Sequence, residues 1–223
     1  MDCADHLSHV EIRAVADLQA KYTDLPAGLC DALRDQFKSL KMLFRKVADA
    51  DDDHVFQGQV VLMGMLNRTY ELFLGSIQQL VQGNGHVWSA CLRGLIETFG
   101  AMVYISERPD SLPSFSGRGI TAGRLRAAAE RGRPGLGKDL SRLNDVVHPG
   151  DRSIFAGSTV VDETERQVVF GLGLQDFASD DIQEGATATN NICSLIVQRT
   201  EALINSRPGV LRSGKSIGQR HKA

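Results

Sequence analysis

Arg93 and Glu97 stand four residues apart in the segment Leu92-Arg93-Gly94-Leu95-Ile96-Glu97, among residues whose apolar character belongs inside a protein. On a helix that spacing puts both side chains on one face, where they can form an ion pair. Such a pair fixes how the helix packs, and a guanidinium held there can also bind an anion or a base edge. A second polar group comprises Ser141, Arg142, Asn144, Asp145 and His148. Spacings of four and three place Ser141, Asp145 and His148 opposite Leu136, Leu140, Leu143 and Val147. The order of these three invites comparison with a Ser, Asp, His relay, which we reject: no strand-to-helix turn presents Ser141, and relay geometry is rarely built on consecutive turns of one helix.

Other candidate chemistry is thin. Asp49, Asp51, Asp52 and Asp53 lack the alternating ligands and distal Glu of a calcium loop, and suit a solvated loop and helix cap. Cys3, Cys30, Cys91 and Cys193 lie far apart with no C-x-x-C pair, as expected of reduced thiols in a cytosol. No His, Cys or carboxylate set has ligand spacing and no G-x-G-x-x-G follows a strand, so neither a metal nor another cofactor is expected.

The elements that must position these residues are mostly helical. Val10, Ala14, Leu18 and Lys21 give a weak stripe over about 5–21, closed by Leu25-Pro26. Leu29, Leu33, Phe37, Leu40, Phe44 and Val47 recur at three and four, the pattern of an amphipathic helix. A long helix is expected from Val55 to Val81, and a second from His86 to Glu107; the Gly83-Asn84-Gly85 turn joins them into an antiparallel hairpin. A Pro, Ser and Gly-rich loop follows, then a short basic helix over 121–131 carrying Arg124, Arg126 and Arg131. Arg124 and Arg126 are candidate nucleic-acid contacts. The helix through Leu136, Leu140, Leu143 and Val147 stops at His148-Pro149-Gly150, because the residue before proline resists the α region. Val-rich segments within about 158–174 predict a β-hairpin, and Asp180-Asp181 opens a last helix through about Ser206. The fold class is therefore all-α, an up-and-down bundle of about six helices with a small β-hairpin before the last. Residues 1–206 form one domain, and 207–223, basic with little that could pack, reads as a disordered tail.

The composition is that of a folded globular chain, with 42% hydrophobic and 23% charged residues. A formal net charge of -2 provides no global field toward nucleic acid or an anionic membrane, so such binding would need a local patch. Acidic residues in Met1-Asp2-Cys3-Ala4-Asp5-His6 do not fit a signal peptide, and the longest apolar run, near 60–66, falls far short of a membrane span. A cytoplasmic protein without a membrane segment is expected.

Three stretches together resemble HEPN-like helical bundles, in particular poorly characterised bacterial members with an Arg-x-x-x-Glu helix and a later helix ending in His-Pro. They are Leu66-Asn67-Arg68-Thr69-Tyr70 through Leu80, Ala90 to Glu97, and Leu140 to Pro149. The resemblance covers about 60–150. It implies an α-bundle, often a homodimer, sometimes part of a toxin or defence system, and in many members a metal-independent ribonuclease site written R-x(4 to 6)-H. Arg142 and His148, with five residues between them, match that string. There the His would transfer a proton and the Arg would hold phosphate, which suits activation of a ribose 2′-hydroxyl without metal. Two readings follow. One is a non-catalytic module binding a partner protein, a nucleotide or nucleic acid, with Arg93, Glu97, Asn144 and Asp145 as its polar cluster. The alternative is a metal-independent endoribonuclease using Arg142 and His148 on RNA.

Overall fold

The computed structural model of the chain describes residues 7–50, 54–116, 120–147, 158–162, 167–170 and 178–219. They form an all-α bundle of seven α-helices with short strands attached. The helices are α1 (His9–Lys21), α2 (Ala27–Ala48), α3 (Gln57–Gln82), α4 (Gly85–Glu107), α5 (Ala122–Gly132), α6 (Leu136–Val147) and α7 (Ser179–Ser206).

The α3–α4 hairpin is the spine, and every other helix packs against one or both of its members. Its turn has a local cause. Gly83 ends α3 at φ 73°, a left-handed conformation that a side chain would disfavour, and the Asn84 side chain accepts from the Val87 N–H at 3.2 Å to start α4. Phe37 of α2 meets Phe73 of α3 edge-on at 4.7 Å between ring centres, in a core where both rings are fully buried.

The expected α1 stripe holds at Ala14 and Leu18 and fails at Val10 and Lys21, which are exposed. Val10 is half exposed, while Glu11 is fully buried with Ala14, Val15 and Leu18. Glu11 can lie inside because its Oε2 is paired there. It forms a capping box with Ser8, and Lys41 of α2 donates to its carboxylate at 2.6 Å.

Two further expectations need correction. The loop after α4 contains a 3-10 helix, Pro109–Ser116, anchored by the fully buried Leu112. The expected disordered tail is ordered through Gln219. Pro208–Arg212 forms a 3-10 helix that buries Val210 and Leu211, and β4 (Ser216–Gln219) pairs antiparallel with β1 (His54–Phe56), a segment expected to be helical at Val55. The tail crosses the start of α3 closely enough that a Cβ at Gly58 would lie 2.4 Å from Ser213 Oγ and 2.6 Å from the Val210 carbonyl oxygen. Only glycine admits that crossing. Burial of two aliphatic side chains and a non-local strand pairing therefore outweigh the polar composition of this segment.

The expected hairpin is present as β2 (Ser158–Asp162) and β3 (Gln167–Phe170), paired antiparallel with Thr159 opposite Val169 and Val160 opposite Val168. No helix among the described residues is long and apolar enough to cross a membrane.

Candidate site at the arginine-glutamate cluster

Arg93 and Glu97 come together as their spacing predicts: Arg93 Nε donates to Glu97 Oε1 at 3.0 Å, and each side chain is only 22% exposed. Sequence reasoning did not assign a third member. Arg68, on α3, brings its guanidinium to 3.7 Å from Glu97 Oε2, an ion-pair distance too long for a hydrogen bond. Two guanidinium groups thus face the carboxylate of Glu97. Arg93 is the member held in place. Arg68, 58% exposed, can turn toward an incoming anion at little cost, since a long exposed contact contributes little.

Beside the cluster, α3, α4, α5 and the 3-10 segment enclose an open cavity of about 290 Å3. Arg68 and Glu97 form its polar side, while Met65, Phe115, Ile120 and Leu125 form the apolar side. Thr98 also lines it, but its hydroxyl is spent on the Gly94 carbonyl at 2.8 Å.

Two carboxylates fix α5 over this cavity. Glu107, at the end of α4, accepts from Arg131 Nε at 3.1 Å and Nη2 at 2.7 Å, and that bidentate hydrogen bond holds its carboxyl below the ordinary range. Glu130 accepts from the backbone N–H groups of Gly135 and Gly137 at 3.0 and 2.8 Å. These two bonds lower its pKa and satisfy donors at the start of α6. Arg124 and Arg126, on either side of the cavity-lining Leu125, are exposed as expected of surface cations.

The second polar group is only partly described. Arg142 lies on α6, 64% exposed and 3.7 Å from Asp139. Ser141 Oγ donates to the Gly137 carbonyl of its own helix at 3.3 Å, a local bond that gives it no base to activate it. Asn144 and Asp145 belong to α6 by backbone. The placement of their side chains, and His148 altogether, lies outside the described residues.

Among the described residues no group of three or more His, Cys, Asp or Glu is placed to hold a metal. Cys30 and Cys193 are buried, and burial pushes both thiols up from their ordinary pKa. They are packing residues, not nucleophiles. No family model, curated protein or solved structure matches the chain. The chemistry of the cluster is therefore read from its geometry: a preorganised Arg93, a movable Arg68 and an apolar wall suit a phosphate attached to something flat or apolar.

Proposed function

We propose that this chain is a non-catalytic HEPN-like helical module that binds a nucleotide or nucleic acid through its arginine-glutamate cluster. The observation that carries the reading is the convergence of Arg68 and Arg93 on the carboxylate of Glu97 at the edge of a cavity. A phosphate reaching Arg68 replaces a 3.7 Å contact with a charge-assisted hydrogen bond, while Glu97 keeps Arg93 from following it. Arg124 and Arg126 on α5 add exposed positive charge along the path of a longer strand. A homodimer, placement in a bacterial toxin or defence system and a cytoplasmic location belong to the same reading. Light scattering at twice the chain mass of 24.3 kDa would support the first of these.

The endoribonuclease alternative is favoured by one observation, the exposure of Arg142, which is 64% accessible and meets Asp139 at the long distance of 3.7 Å. The experiment that separates the two is incubation of the protein with mixed RNA in EDTA, followed by retention on a filter and by gel analysis. Intact, retained RNA is the expected result. Cleavage that Arg142→Ala and His148→Ala each abolish at unchanged melting temperature would replace the binding reading with the alternative.

A further inference from the structure

The C-terminal segment and the wall of the candidate cavity meet at one residue, Gln57, the first of α3. Its backbone N–H donates to the Lys215 carbonyl at 3.1 Å, and the next N–H, that of Gly58, donates to the Ser213 carbonyl at 3.0 Å. These are donors that the start of a helix leaves without intrahelical partners. The Gln57 side chain reaches the other way, where Nε2 donates to the Pro113 carbonyl of the 3-10 helix at 2.8 Å.

The three segments lie against one another closely. A Cβ at Gly214, whose φ is 82°, would lie 3.0 Å from both Gln57 Cβ and Pro113 Cβ, and one at Gly58 would lie 3.2 Å from Leu112 Cδ2. Leu112 is fully buried, and Phe115 of the same 3-10 helix lines the arginine-glutamate cavity, its ring edge-on to Tyr104 at 6.4 Å. The C-terminal segment itself is anchored by the aliphatic side chains of Val210 and Leu211 and by the two-stranded β1–β4 ladder, a unit that is marginal on its own. Such a unit opens at a lower free energy than the bundle as a whole.

We propose that the segment from Pro208 to Gln219 is a strap that sets the wall of the arginine-glutamate cavity. Docked, it fixes the first turn of α3, Gln57 fixes the Pro113 carbonyl, and Phe115 is held in its place on the wall. Lifted, it takes two carbonyl acceptors away from the start of α3, and the 3-10 helix loosens with it. Strap docking and ligand binding are then reciprocal, since a ligand against Phe115 favours the docked strap by the same factor by which the docked strap favours the ligand. The ligand half of this inference rests on the proposed function, whereas the link between strap and wall stands on the packing alone.

The test is amide hydrogen exchange, read by mass spectrometry on the full-length parent, Gly214→Val and Gln57→Ala, each with and without a single-stranded RNA. Valine is strained at a φ of 82° and lifts the strap, while Gln57→Ala removes the bond to Pro113 and keeps the backbone bonds to the strap. Exchange in α2 reports whether the bundle itself is intact. Without RNA, both variants are expected to exchange about fivefold faster or more over 208–219 and over 109–116 alike, with α2 unchanged. A variant that loosens one of these segments and leaves the other protected overturns the proposal, as does unchanged protection in both variants. If Gly214→Val loosens α2 as well, Gln57→Ala decides. With RNA, slower exchange over 208–219 in the parent and roughly fivefold or more weaker binding by the variants are expected. RNA that binds the parent without protecting 208–219 also overturns the proposal. A parent that binds no RNA refutes the proposed function instead, and the exchange measured without RNA still decides the strap.

Discussion

Lys41 donates to Glu11 at 2.6 Å, joining α2 to the first turn of α1 through a carboxylate that has no exposure to solvent. The pair is lopsided, because Glu11 is wholly enclosed while Lys41 keeps a quarter of its side chain in water. Lys41→Met, which strands a buried carboxylate, is expected to cost roughly 3–5 kcal/mol, the range for breaking a buried pair from one side. Glu11→Gln should cost less, since the freed ammonium can reach solvent, and the double variant should recover part of the Lys41→Met loss. Urea denaturation of the four proteins measures this; equal losses in the two single variants would show that the pair is not buried as described.

The same carboxylate makes stability acid-sensitive. Burial opposes ionisation of Glu11 and is the largest single influence, yet Lys41, the Ser8 backbone and the Tyr70 hydroxyl together prevail and hold its pKa below the ordinary 4.5. A depressed folded value means that the contribution is complete above the unfolded pKa and is lost as pH falls through the folded one. Denaturation midpoints taken from neutral to acid pH should fall more steeply for the parent than for Glu11→Gln.

Tyr70 gives the opposite sign at the alkaline end. Burial first, then the hydrogen bond and charge of Glu11, push its phenol up to about 12 from 10.0. Below the unfolded value the fold is unaffected; between the two values the unfolded chain loses its proton first and stability declines. Ultraviolet titration of the phenolate band should show a late-ionising component that disappears in Tyr70→Phe.

The ordered C-terminal segment predicts a conditional effect. Removing residues 207–223 exposes the partners of Val210 and Leu211 and should cost roughly 2–4 kcal/mol. Gly58→Ala in the full chain drives a methyl group into Ser213 and the Val210 carbonyl and should destabilise it. In the truncated chain those atoms are gone, so the same substitution should cost much less, helped by the better helix propensity of alanine. Melting curves of the four proteins test this, and a Gly58→Ala penalty that survives truncation would contradict the packing described.

What could be read from the sequence follows the range of the interactions. The α2 pattern is legible because Leu33, Phe37, Leu40 and Val47 repeat on one face and are all buried. Arg93 and Glu97 are legible because both belong to one helix. Arg68 comes from the neighbouring helix, and no local spacing connects it to Glu97. The α1 stripe misled because a glutamate reads as solvent-facing until its partner is known, and Lys41 lies thirty residues away. The tail misled for the same reason: the pairing of β4 with β1, the backbone hydrogen bonds of Gln57 and Gly58 to Lys215 and Ser213, and the fit of Val210 and Leu211 against the bundle are all long-range. A later signal was available in the sequence, since Val210-Leu211 is an apolar pair beside a helix-ending proline.

The central claim is that Arg68, with Arg124 and Arg126, holds phosphates without cleaving them. Fluorescence anisotropy of an end-labelled single-stranded RNA, recorded over a salt series in EDTA, tests it for the parent and for the Arg68→Ala, Arg124→Ala, Arg126→Ala triple variant. The account predicts that the parent binds at low salt, that the triple variant binds more weakly with a log-log salt slope shallower by about 2, roughly 0.7 for each lost phosphate contact, and that the RNA is recovered intact. Parent and triple variant with the same affinity and the same slope would contradict it.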